Sequence, residues 1–174
     1  SGAVMLAVAE PYRLQRITSF ANPWADQYNT GYQLTQALIA FGRGHWFGLG
    51  LGNSVQKLFY LPEAHTDFVF AVLAEELGLF GAVGVILLFA LLVFRAFRIG
   101  RKAELAGIPF AAYLCYGIAL VIGAQAFINI SVSSGMLPTK GLTLPLLSYG
   151  GSSLIISGIM MAILFRVDVE VRRL

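Results

Sequence analysis

The sequence predicts an all-α polytopic membrane protein. Three observations carry that expectation. The 174 residues are 57% hydrophobic and only 12% charged. Long runs in the second half carry no charge, and the basic residues gather in tight clusters at the ends of those runs. A soluble domain carries about 25% charged residues, so this chain has too little polar surface to cover a water-exposed globule, and lipid is the solvent that suits the excess. The formal net charge of +3 is too small and too localised to suggest a nucleic-acid partner. Cys115 is the only cysteine and lies in an apolar run, so no internal disulfide can form and the redox compartment is not readable from it.

The elements follow in chain order. Residues 1–10 are apolar up to Glu10 and carry no charged leader, unlike a signal peptide. As a helix they rise about 15 Å, half of a hydrocarbon core of about 30 Å. They are expected to be the end of a transmembrane helix that begins upstream, in a longer protein.

Residues 11–67 form a polar loop too long for an idle connection. Within it, Leu34, Leu38 and Phe41 fall at helical spacing, with Gln33 and Gln36 elsewhere. That pattern predicts a short amphipathic helix over 32–41 at the membrane surface. Gly42, Gly44, Gly48, Gly50 and Gly52 follow. They lack the Gly-Lys-Ser/Thr ending of a phosphate-binding loop. They form either a set of turns or backbone brought close to a bulky ligand.

The run 61–70 (LPEAHTDFVF) brings Glu63, His65, Thr66 and Asp67 to the point where the chain enters the membrane. Thr66 or Asp67 suits a helix N-cap, where the helix dipole favours a carboxylate. A carboxylate at a lipid–water boundary can also take a proton from a hydroxyl nucleophile on a lipid substrate. It suffices alone if the leaving group is a diphosphate, which cations stabilise without protonation. His65 and His45 are too far apart in sequence to suggest metal-ligand spacing, so no metal site is expected.

Residues 68–97, 109–133 and 142–165 each reach the roughly 20 residues that a spanning helix needs, with a connecting loop at 98–108, a short loop at 134–141 and a tail at 166–174. Arg95, Arg98, Arg101 and Lys102 cluster at and beyond the end of the first span, and Arg166, Arg172 and Arg173 after the third. Two spans separate the clusters, so they share one side. The positive-inside rule makes it cytoplasmic, and the loops at 11–67 and 134–141 face outward. The first span would be about 45 Å long as one helix, so its outer end, with Glu75 and Glu76, must leave the hydrocarbon or face a polar cavity. Gly78, Gly81 and Gly84 predict close helix packing. Gln125 and Asn129, one turn apart, predict interhelical hydrogen bonds. Pro145 and the Gly150–Gly151 pair predict that the third span is broken, which membranes tolerate only where backbone is buried in protein or lines a wet cavity. Lys140, just above the break, is either an interfacial snorkeller or part of an anion site.

The runs 61–70 and 74–78 (AEELG), and the whole of 135–153, resemble the SEDS family, the bacterial peptidoglycan glycosyltransferases of shape, elongation, division and sporulation. The stretches 42–44, 50–57 and 60–65 are most similar to its division branch. The resemblance covers essentially the whole chain. It implies a SEDS-type bundle of ten transmembrane helices, of which this chain would supply the end of the seventh, the large extracytoplasmic loop and the last three. It implies polymerisation of lipid II at the outer face of the bacterial cytoplasmic (inner) membrane, at the division septum. Asp67 matches the family's essential aspartate and would be the general base of an inverting displacement of undecaprenyl diphosphate. Lys140 would contact diphosphate or sugar, and Arg43, Glu63 and His65 would line the substrate cavity. No dedicated metal site is implied; a divalent cation, Mg or Mn, would at most help neutralise the diphosphate. The implied partners are lipid II, an FtsI-type class B penicillin-binding protein transpeptidase and the FtsQ–FtsL–FtsB subcomplex. The rival readings are a lipid II flippase, which would need no general base, and a non-catalytic scaffold that recruits a transpeptidase.

Overall fold

A computed structural model describes residues 31–54, 65–138 and 141–173. The expected helix end at 1–10, most of the outer loop, and Glu63 and Lys140 lie outside them. Among the described residues the structure is helical, without strands: α1 (Tyr32–Gly44), α2 (Val69–Leu105), α3 (Pro109–Ser133) and α4 (Gly151–Val171). α2 and α3 are long and apolar enough to cross a membrane.

α1 is the predicted amphipathic helix, extended by one turn. Its apolar face is covered by protein rather than lipid. Ala37 and Ala40 are fully buried against Phe68, Ala71 and Val72 at the start of α2, with Phe41 alongside. Gly44 ends the contact, and a Cβ there would lie 1.9 Å from the Ala74 carbonyl oxygen.

α2 is not one straight helix. Gly78 has φ 68 and ψ −165 inside it, a conformation open essentially only to glycine. The break opens the two helical bonds that would join the Leu79 and Phe80 amides to the carbonyls of Glu75 and Glu76. The loop after α1 supplies all four missing partners. Leu49 N donates to Glu75 O at 3.0 Å and Gly50 N to Glu76 O at 3.0 Å, while Leu79 N donates to His45 O at 2.9 Å and Phe80 N to Trp46 O at 3.3 Å. The glycine-rich stretch is therefore turns and close backbone approach together, but what it approaches is a broken helix. A Cβ on Gly48 would lie 2.1 Å from Glu76 O, and one on Gly78 would lie 2.4 Å from Gly48 N.

This corrects the expected packing role of Gly78, Gly81 and Gly84. Gly78 makes the break, a Cβ on Gly81 would meet only its own helix at Leu77, and Gly84 faces open space. The packing seam lies elsewhere. Ala82, Phe89, Ala96 and Ala103 recur every seventh residue on α2 and meet Ala112, Cys115, Ala119, Ile122 and Ala126 of α3. A strict seven-residue repeat of this kind keeps one seam facing the partner along the whole pair, and small side chains let the backbones approach where lipid supplies no hydrophobic drive.

The expected loop at 98–108 is mostly helix, because α2 continues to Leu105. It ends in a Schellman motif: Ile108 N donates to Ala103 O at 3.0 Å and Gly107 N to Glu104 O at 3.1 Å, with Gly107 at φ 78. Pro109 then opens α3, where its missing N–H costs nothing. α3 keeps its predicted bounds and closes in the same motif, with Gly135 N on Val132 O at 3.1 Å and Met136 N on Ser131 O at 2.7 Å.

The third span is corrected more strongly. Residues 141–150 are not helical at all, and α4 runs from Gly151 through most of the expected tail to Val171. Its uncharged part, up to Phe165, rises about 22 Å, short of a hydrocarbon core of about 30 Å. The tail is helical because its charges pair one turn apart, Arg172 with Asp168 at 2.5 Å and Arg166 with Glu170 at 3.8 Å.

Glycine at position 48 is expected to be indispensable to this architecture. In the full-length protein in detergent, Gly48→Ala should lower stability by about 3 kcal/mol or more, as a backbone collision with no flexible side chain to yield. Gly42→Ala, at a helical site with nothing within 4 Å, should be neutral or stabilising by up to about 1 kcal/mol. Thermal unfolding of the two variants side by side checks the pair.

Candidate functional site

Four separated pieces of chain meet at Asp67. Gln33 comes from α1, Asn129 and Val132 from the outer end of α3, and Gly141 and Leu142 from the irregular segment, together lining a cavity of about 190 Å³ with Asp67 and Phe68. The cavity is polar because each piece brings backbone or amide groups to it. Asp67 itself is half-buried. A Cβ on Gly141 would lie 3.3 Å from Asp67 Oδ2, so the missing side chain at 141 is what lets that backbone approach the carboxylate.

The position of Asp67 is set through its main chain. Asn129 is 2% exposed, and its Nδ2 donates to Asp67 O at 2.9 Å and to Leu142 O at 2.5 Å. One amide thus clamps the entry of α2 to the irregular segment. One turn back, Gln125 Nε2 donates to Thr143 O at 3.0 Å, and Thr143 Oγ1 lies 3.0 Å from Ser153 Oγ at the start of α4. The predicted hydrogen bonding of Gln125 and Asn129 is therefore directed at irregular backbone rather than at another helix. That is the more demanding task, since unpaired carbonyls in a low-dielectric site cost about 1–3 kcal/mol each.

The irregular segment is tied down from its other end as well. Tyr149 N donates to His65 O at 2.8 Å, so residues 65–67 are held from both sides. Ser148 Oγ accepts from Leu144 N at 2.7 Å, which turns the chain at Pro145. Leu146 sits at φ 65 within that turn, a left-handed conformation costing a non-glycine residue about 1–2 kcal/mol.

The N-cap of α2 falls on Phe68, which has no side-chain oxygen to offer. Thr66 and Asp67, the expected caps, precede it by two residues and one. His65 lines a second, more open cavity of about 420 Å³ with Glu76, Leu147 and Tyr149. Arg43 is not at the Asp67 cavity. Its Nε lies 3.9 Å from Glu75 Oε1, and the fully buried Glu75 carboxylate also accepts from Ser54 Oγ. Glu75 therefore gathers α1, the end of the glycine loop and α2 into one knot. The acidic pair, expected to leave the hydrocarbon or to face a polar cavity, is instead buried in protein at the helix break, with Glu76 lining the His65 cavity. Of the residues singled out in sequence, the structure brings Asp67 to the first cavity and His65 to the second. It adds Gln33, Asn129 and Gly141 to the first. The uncharged amides within or beside apolar spans were the available signal, because intramembrane polar groups mark functional interiors by default.

Among the described residues, no three His, Cys, Asp or Glu side chains stand close enough to hold a metal ion. The described lining of the Asp67 cavity supplies a single carboxylate, a donor set that does not fit a resident divalent ion.

A helical bundle with membrane-length helices, irregular backbone bound by side-chain amides and a carboxylate in a polar cavity defines a polytopic membrane protein with a polar site beside its spans. The FtsW/RodA/SpoVE family of cell cycle proteins matches residues 1–173, and the chain belongs to that family. It is 80% identical over 168 residues to the probable peptidoglycan glycosyltransferase FtsW of Halomonas elongata, covering 97% of this chain and 42% of that protein. The FtsW of Hahella chejuensis is 64% identical, with 95% of this chain and 42% of the relative covered. A solved chain from work on how a peptidoglycan synthase complex coordinates polymerisation and crosslinking superposes with a TM-score of 0.65 at 32% identity, covering 93% of this chain and 45% of that one. The chain spans about two-fifths of the length of the curated relatives it matches.

The Asn129 clamp yields a measurable expectation. Asn129→Leu keeps the volume but strands the carbonyls of Asp67 and Leu142. Amide hydrogen exchange over 65–72 in the full-length protein should rise by about tenfold or more. Unchanged protection there would mean that Tyr149 alone holds the segment.

Proposed function

We propose that this chain carries the catalytic part of a peptidoglycan glycosyltransferase that polymerises lipid II into glycan strands during septal cell-wall synthesis. The observation that carries the reading is the half-buried Asp67 carboxylate in a polar cavity, its main chain clamped by Asn129. Support comes from relatives that are named as peptidoglycan glycosyltransferases.

Asp67 acts as general base. It takes the proton of the acceptor GlcNAc 4-hydroxyl as that oxygen attacks the anomeric carbon of the donor MurNAc. The bond from that carbon to undecaprenyl diphosphate breaks as the new glycosidic bond forms, and the configuration inverts from α to β in one displacement. The diphosphate leaves as an anion and needs no acid, so one carboxylate serves. Lys140, the chain neighbour of the cavity-lining Gly141, supplies positive charge to the diphosphate, and Glu63, His65 and Arg43 contact the substrate farther from the reacting carbon.

The partner is an FtsI-type class B penicillin-binding protein, a reading supported by the relative solved in work on a peptidoglycan synthase complex. The FtsQ–FtsL–FtsB subcomplex regulates the pair at the septum of the inner membrane, and the Asp67 site opens to the outer face.

The test is polymerisation of labelled lipid II by the full-length protein with its transpeptidase. Asp67→Asn should lower the rate by about 10² to 10⁴, the usual share of a positioned base, while lipid II binding and complex assembly stay normal. Full activity in the Asn variant would return the site to a flippase or a scaffold.

A further inference from the structure

The groove between α2 and α4 at their basic ends takes no part in the reading above. Its volume is about 320 Å³. One end is apolar, formed by Leu88 and Leu91 of α2 with Met161 and Leu164 of α4. The other end is basic, formed by Arg95, Arg98 and Lys102 of α2 with Arg172 of α4. Leu88, Leu91, Arg95, Arg98 and Lys102 are spaced alternately three and four apart, so one continuous face of α2 changes from apolar to cationic along its length.

The change falls at a meaningful depth. Leu88 to Arg95 rises about 10 Å, and Arg95 to Lys102 about 10 Å more. A bilayer has a hydrocarbon core of about 30 Å within a total of about 40–45 Å. A cationic face about one to three turns beyond Leu91 therefore stands at the lipid headgroups, with its apolar continuation among the acyl chains. Asp168 is the one carboxylate lining the groove, and it is engaged by Arg172 at 2.5 Å. The Arg98 guanidinium stacks 4.7 Å over the Phe94 ring. Among the described residues, Arg95 and Lys102 have no carboxylate within ion-pairing distance. Orientation of the chain requires only that cations sit on this side, a requirement that Arg101 and Arg173 meet without lining the groove. Convergence of cations from two helices on one cleft is an additional fact.

We propose that this groove binds an anionic phospholipid of the leaflet on the basic side, its phosphate between Arg95 and Lys102 and an acyl chain along Leu88, Leu91 and Met161. A free anion would gain nothing from the apolar end, and a zwitterionic lipid would bring its own cation against the basic rim. The inference rests on the topology and is independent of the catalytic reading.

Native mass spectrometry of the full-length protein, titrated with phosphatidylglycerol in a mild detergent, tests it. Arg95→Gln/Lys102→Gln should weaken lipid retention by about 30-fold, the loss of two headgroup-level charges. The charge-matched Arg101→Gln/Arg173→Gln variant should retain lipid nearly as the parent does. Three results would overturn the proposal: equal losses in both double variants, equal retention of phosphatidylethanolamine by the parent, or displacement of the lipid by millimolar inorganic phosphate. The lipid comparison and the phosphate competition use the unaltered protein, so a poorly folding variant leaves the proposal open to refutation.

Discussion

The outer half of this structure depends on one exchange of backbone hydrogen bonds. Where α2 breaks at Gly78, the amides of Leu79 and Phe80 and the carbonyls of Glu75 and Glu76 lose each other and find the loop 45–50 instead. Four polar groups opened near the hydrocarbon boundary would cost several kcal/mol each if left unmet. The loop repays that cost only by coming to backbone contact, which explains why glycine occupies both sides of the junction, Gly48 facing Gly78. The break also resolves the length problem of the first span. The inner part of α2 is free to match the bilayer, while the outer part turns aside to carry Glu75 and Glu76 into protein and to pack on α1.

From that turned-aside outer part, the chain leads back through Phe68 to Asp67, so the helix break and the carboxylate are parts of one construction. The second part is the irregular segment 141–150, which Gln125, Asn129, Ser148 and Ser153 bind through backbone and hydroxyl groups. Both parts follow the same physics. Irregular backbone survives at membrane depth because named donors and acceptors reach it. The inner half follows a different rule, a small-residue seam between α2 and α3 whose one side-chain hydrogen bond among the described residues runs from the Tyr116 hydroxyl to Glu104 at 2.9 Å. The stiff seam holds the outer ends of α2 and α3 in register, and the polar outer end can then devote its hydrogen bonds to shaping a site.

Much of this was legible in the residues. Uncharged runs gave the helices because a bilayer admits few other structures, and α3 was bounded to the residue by Ile108–Pro109 and Ser133–Gly135. The end of α2 is announced by Gly107 and Pro109 rather than by the arginines before them, because charge does not stop a helix. The spacing of Gly78, Gly81 and Gly84 suggests a packing face, but spacing is silent about which neighbour a glycine approaches. Asn129 was recognised as an intramembrane hydrogen-bonding group, yet its targets, Asp67 O and Leu142 O, are carbonyls distant in sequence.

The sequence by itself determined the solvent, the helical class, the topology implied by its basic ends and the candidate status of Asp67. The first three follow from local composition and the placing of charge; Asp67 stands out from its neighbouring polar groups through what the family resemblance implies. Tertiary structure alone decided that Gly78 breaks a helix around a distant loop, that Arg43 is drawn to Glu75 rather than to Asp67, and that one asparagine clamps the candidate base. Those outcomes depend on which unsatisfied backbone groups meet across the fold, and backbone groups are the same at every residue, so no side-chain pattern announces their partners.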